Sequence, residues 1–88
     1  MKQITKKNDK YGRGTGCAHP IDRYAGIQIK VARLKIEMSQ EQLADKLGIT
    51  FQQVQKYENA TNRVSCSKLY LISRILKQPI TYFFPRID

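Results

Sequence analysis

The chain has 88 residues, enough for one small domain with a limited core. Sixteen Lys and Arg against seven Asp and Glu leave a formal charge of +9, an excess that favours an anionic partner. Residues 1–22 hold five basic and two acidic side chains (+3) and residues 23–88 hold eleven and five (+6), so the charge is not confined to a tail.

No apolar run reaches the length of a membrane span, and the opening MKQITKKNDKYGRGTG lacks the apolar stretch of a signal peptide. Two cysteines, Cys17 and Cys66, do not make a secreted disulfide framework, although a single bridge between them is possible on paper. The expectation is a cytoplasmic protein with reduced thiols and no membrane partner.

Residues 1–21 are polar, basic and Gly-rich, and without apolar periodicity they read as a flexible arm. Cys17 and His19 lie in this arm, but two potential ligands do not make a zinc site, so no metal or other cofactor is expected. From Asp22 the pattern changes, and residues 22–88 read as the folded domain. Asp22 is the expected N-cap of a helix of about four turns carrying Ile29, Ala32, Leu34 and Ile36. Ser39 with Gln42 three residues on reads as a capping box. Leu43, Ala44 and Leu47 form the inward stripe of this second helix, which Gly48 ends in a left-handed conformation.

Thr50 is the next N-cap, opening a third helix over Phe51–Glu58. Asn59, Ala60, Thr61 and Asn62 are turn residues. Ser65 caps a fourth helix bearing Leu69, Ile72, Ile75 and Leu76 at helical spacing. Pro79 marks its end and opens a last short helix with Ile80, Phe83 and Phe84. The expected fold is all-α, a compact five-helix domain behind a flexible N-terminal arm.

Two short helices joined by a tight turn containing Gly, over residues 40–59, have the form of a helix-turn-helix, whose second helix enters the DNA major groove. Projected at about 100° per residue, the third helix puts Val54, Tyr57 and Glu58 on one side. Gln52, Lys56 and Asn59 lie opposite, with Gln55 beside them. Gln pairs bidentately with the adenine edge, and Lys reaches guanine or a phosphate. Phe51, expected to be exposed at the start of the helix, is suited to a thymine methyl group.

The stretch from Tyr24 to Phe84 resembles the lambda-repressor/Cro-like helix-turn-helix family of bacterial and phage transcriptional regulators, of the xenobiotic-response-element type. The resemblance rests on Ile29-Lys30-Val31-Ala32-Arg33, Ser39-Gln40-Glu41-Gln42-Leu43-Ala44, Leu47-Gly48-Ile49-Thr50, Val54-Gln55-Lys56-Tyr57-Glu58-Asn59 and the segment Leu69 to Leu76. It implies that Gln40 grips a phosphate, that Thr50, Phe51, Gln52, Gln53 and Lys56 face the groove, and that Asn59, Asn62 and Arg63 touch the backbone beyond the helix. It also implies a structural ion pair between Arg33 and Glu58. Three positions depart from the family pattern: Ala32 replaces a larger aliphatic residue, Ala60 a Gly, and Val64 stands near a common Pro.

The implied function is sequence-specific binding of double-stranded DNA, as a small nucleoid-associated repressor reading a palindromic operator. Tyr82, Phe83 and Phe84 read most simply as core and capping residues of the last helix, with a homodimer contact through this C-terminal region as the alternative; no small-molecule ligand is evident. The alternative is an antitoxin or similar interaction module whose main partner is another protein. An enzyme would need a nucleophile–base pair or metal cluster in a pocket, and RNA readers present aromatic platforms; the sequence offers neither.

Overall fold

The computed structural model describes residues 19–86. Four α-helices follow in order, α1 (Pro20–Lys35), α2 (Gln40–Leu47), α3 (Phe51–Glu58) and α4 (Cys66–Ile75), and a 3-10 turn spans Ile80–Phe83. The fold is all-α, with no strand among the described residues. The fifth expected helix is this single 3-10 turn. Pro79 precedes it in an extended conformation, and four residues are too few for an α-helical ladder. Most of the arm expected over residues 1–21, with Cys17, lies outside the described residues.

Each helix starts on a side chain that satisfies an otherwise orphaned amide. Ser39 and Gln42 form the reciprocal box: the Gln42 amide donates to Ser39 Oγ at 3.0 Å, and the Ser39 amide to Gln42 Oε1 at 2.8 Å. The Gln53 amide donates to Thr50 Oγ1 at 3.2 Å, and the Lys68 amide to Ser65 Oγ at 3.2 Å. α1 begins earlier than its sequence pattern suggests. His19 Nδ1 accepts from the Ile21 amide at 3.1 Å, and Pro20 supplies a helical φ at the first position. Asp22 is therefore in the first turn, where its charge suits the helix dipole, and is not the cap.

The C-termini share one device. In each, the amide beyond a left-handed residue returns to a carbonyl five positions back: Met38 to Arg33, Ile49 to Ala44, Thr61 to Lys56 and Gln78 to Ser73. The left-handed residues are Glu37 (φ 54°), Gly48 (φ 71°), Ala60 (φ 63°) and Lys77 (φ 59°). Only Gly48 adopts that conformation without a Cβ clash. Ala60 thus occupies the backbone state for which the family's usual glycine is suited.

The core takes a side chain from every element. Ile29, Leu43, Val54, Ile72, Leu76 and Phe83 are fully buried, with Ala25, Ala32, Ala44, Leu47, Tyr57 and Leu69 around them. α3 packs on α2 and α1, α4 packs on α2, and the 3-10 turn joins α1 to α4. Leu34 and Ile36, though part of the apolar pattern of the first helix, are exposed, as are Tyr70 and Leu71. Phe83 is a core residue, in keeping with the simpler of the two readings of this segment, and does not belong to the alternative dimer surface. Tyr82 is half-buried and Phe84 exposed.

Gly26 sets the distance between α1 and α3. A Cβ there would lie 2.5 Å from the Tyr57 carbonyl oxygen and 2.7 Å from that of Glu58. Both neighbours are backbone, so α1 would have to move away from the last turn of α3. Gly26→Ala is expected to lower stability in urea unfolding by about 1–3 kcal/mol, the scale of overpacking, despite the better helix propensity of alanine. An unchanged unfolding midpoint would show that the two helices are free to separate.

Candidate nucleic-acid interface

The helix-turn-helix is built by α2, the turn Gly48-Ile49-Thr50, and α3. The turn is short because the left-handed Gly48 reverses the chain within one residue and Thr50 already caps the next helix. Leu43, Leu47, Val54 and Tyr57 are buried between the two helices, and Ile49 packs against them half-buried. These contacts fix which edge of α3 faces outward. Gln52, Gln55, Lys56 and Asn59 are exposed.

Two N-terminal residues of α3 depart from that simple division. Phe51 is half-buried and packs against the core cluster, so the expected exposure of its ring is only partial. Gln53 is half-buried as well. Thr50 is exposed but uses its hydroxyl to cap α3.

Beneath this edge, Arg33 and Glu58 meet in a buried two-bond fork. Arg33 Nε donates to Glu58 Oε2 at 2.7 Å and Nη2 to Oε1 at 3.1 Å, with side-chain exposures of 7% and 5%. Arg33 Nη1 also donates to the Met38 carbonyl at 2.8 Å, tying the guanidinium to the α1–α2 corner. Gln40, the first residue of α2, donates from Nε2 to Glu58 Oε1 at 2.9 Å and accepts from Gln55 Nε2 at 3.3 Å. One chain of hydrogen bonds therefore runs from the interior, through Glu58 and Gln40, to Gln55 on the surface of α3. The pattern of the sequence places Gln55 beside the outward residues but gives no sign that it reaches Gln40.

Past α3, Asn59 Oδ1 accepts from the Thr61 amide at 3.0 Å and from the Thr61 hydroxyl, so this side chain shapes the loop. Asn62 and Arg63 are exposed just beyond. The structure thus gathers Thr50, Phe51, Gln52, Gln53, Lys56 and Asn59 along one helix. It sets Gln40 at its flank, while Asn62 and Arg63 follow in the loop. Among the described residues no cluster of three or more metal-ligating side chains occurs. No described helix is long and apolar enough to cross a membrane.

A helix-turn-helix family model matches residues 29–83. The chain belongs to the lambda-repressor-like helix-turn-helix family. A relative in Sinorhizobium medicae, named an HTH-type transcriptional regulator, is 53% identical over 66 residues, covering 75% of this chain and 48% of its own. Another in Rhodospirillum rubrum, named a transcriptional regulator in the ATPase CF(0) region, is 40% identical over 74 residues, covering 84% and 68%. The chain spans about half the length of the Sinorhizobium relative.

Among solved structures, the restriction-modification controller protein C.AhdI from Aeromonas hydrophila shares the fold, with a TM-score of 0.66 and 22% identity over 70% of this chain and 94% of its own. Hydroxypropylphosphonic acid epoxidase from S. wedmorenis matches with a TM-score of 0.68 and 25% identity, over 73% of this chain but only 34% of that enzyme. The helix-turn-helix fold therefore also occurs as a minor part of an enzyme, and fold alone does not decide function.

Removing one member of the buried pair leaves the other charge uncompensated. Glu58→Ala is expected to cost about 3–5 kcal/mol, a large share of the roughly 5–15 kcal/mol available to a small domain. The double replacement Arg33→Met, Glu58→Leu is expected to recover much of that loss in thermal unfolding. A double variant no more stable than Glu58→Ala would mean that the pair supplies more than charge neutralisation.

Proposed function

We propose that the chain is a sequence-specific binder of double-stranded DNA that regulates transcription, reading the major groove with the outward edge of Phe51–Glu58. The observation that carries this reading is the division of α3 into two edges. Val54, Tyr57 and Glu58 are locked into the interior, and the opposite edge holds amides and one cation. A helix face that is merely solvated favours Glu and Lys, whereas Gln52 and Lys56 have the groups that pair with base edges. The formal charge of +9 supplies the non-specific attraction to phosphate on which such binding rests, and the names of the curated relatives agree with a regulator.

In this reading Gln40, Asn59, Asn62 and Arg63 approach the phosphates at either end of the reading helix. Gln40 is oriented by Glu58 and retains a second amide hydrogen for a phosphate oxygen. Phe51 contributes an apolar contact whose position is set by its half-buried ring. The protein acts as a repressor on a palindromic operator, as a homodimer using the exposed Phe84 and the half-buried Tyr82 near its C-terminus. Two copies related by a twofold axis would meet half-sites about 34–36 Å apart.

Selection from random duplexes is expected to recover a short palindromic motif; failure to enrich any motif would overturn the reading. Gln52→Ala is expected to lose about 1–3 kcal/mol of discrimination at one base pair. Lys56→Ala is expected to weaken binding across sequences and to reduce the salt slope by about one unit if it holds a phosphate. Unchanged base preference in both variants would place the reading edge elsewhere.

A further inference from the structure

α1 carries a second apolar face that the described residues leave exposed. Tyr24, Ile27, Val31 and Leu34 are 37%, 52%, 38% and 55% exposed. They follow one another at steps of three, four and three residues, the spacing of a coiled-coil seam. On a helical projection this stripe lies across the helix from Ala25, Gly26 and Ile29, which face α3 and the core. It is therefore separate from the edge proposed to read DNA.

We propose that this stripe docks an amphipathic helix of another protein whose flanking side chains are acidic. The charge of α1 selects the partner. Beside the seam, Arg23 and Lys30 line one edge, and Lys35 lies on the other with its ammonium 5.1 Å from the Tyr82 ring centre. The only carboxylate of the helix, Asp22, projects to the opposite side. A second copy of this chain fits poorly. Paired antiparallel, the Arg23–Lys30 edge would meet itself, and paired parallel, Lys30 would face Lys35. A partner with Glu or Asp at those flanking positions meets opposite charge in either orientation. Gln28 completes the floor on the 3-10 side by donating to the Tyr82 carbonyl at 3.3 Å, so that edge is held in place before any partner arrives.

The test uses the full chain and two synthetic helices of about three heptads. Both have a Leu/Ile seam, one with Glu and the other with Lys at the flanking positions. Fluorescence anisotropy is expected to show the Glu peptide binding about tenfold or more tighter than the Lys peptide. Ile27→Ala with Leu34→Ala should weaken the Glu peptide about tenfold, and Lys30→Glu should shift preference towards the Lys peptide. Circular dichroism on each variant confirms that these exposed substitutions leave the fold intact. An operator-length duplex should leave peptide affinity unchanged. Equal binding of the two peptides, no binding of either, insensitivity to the Ala pair, or displacement by the duplex would each overturn the proposal. So would sedimentation showing a dimer that the Ala pair separates, because the occupant would then be a second copy.

Discussion

The carboxylate of Glu58 is the point on which this arrangement of helices depends. It lies in the last turn of α3, yet it takes two hydrogen bonds from Arg33 on α1 and one from Gln40 at the start of α2. A buried charge is tolerated only when its lone pairs are satisfied with good geometry. Those bonds form together only when three helices stand at fixed distances and rotations. The Arg33 bond to the Met38 carbonyl extends the constraint to the connection between α1 and α2. Hydrophobic contacts would hold the same helices together, but they are non-directional and allow sliding. The fork sets register.

Register is what the role proposed for α3 requires. Base edges are recognised through bidentate bonds with narrow angular tolerance, and a supporting shell that is loose by about 1 Å loses them. α3 is only eight residues long, too short to be stable as an isolated helix. Its orientation therefore comes from elsewhere: Thr50 at its first turn, Val54 and Tyr57 along its inner edge, and Glu58 at its end. Gly26 lets α1 approach the carbonyls of Tyr57 and Glu58 directly, which brings Arg33, seven residues further along α1, within reach of the carboxylate. The small residue and the ion pair are two parts of one contact.

Much of this was legible in the sequence. Ser39, Thr50 and Ser65 announce helix starts through their chemistry, Gly48 announces a stop, and the apolar spacing separates the inner from the outer edge of α3. What the sequence hides has physical causes. Three of the four helices end in a left-handed residue that is Glu37, Ala60 or Lys77. A local amide-to-carbonyl bond closes each of these ends, and no preference of the residue itself marks the position. His19 is an uncommon cap, so the helix pattern is first visible at Asp22, three residues late. Gly26 inside a helical run reads as a mere propensity defect until the carbonyls opposite it are seen. The ring of Phe51 and the link from Gln55 to Gln40 depend on the angle between α2 and α3, which side-chain periodicity does not encode.

α1 shows how one short helix divides its surface among several tasks. Ala25, Ile29 and Ala32 supply the core, Gly26 and Arg33 fix α3, and Gln28 with Lys35 receives the 3-10 turn. A helix serving only the domain would leave polar residues on what remains. Here the remaining edge alternates seam-spaced Tyr, Ile, Val and Leu with basic residues. Exposed apolar side chains scattered singly carry no message, but a contiguous row of them on one helix marks a contact surface. The outer face of α1 and the edge of α3 proposed to read DNA thus lie on different sides of the protein, so that one helix can serve both without either surface blocking the other.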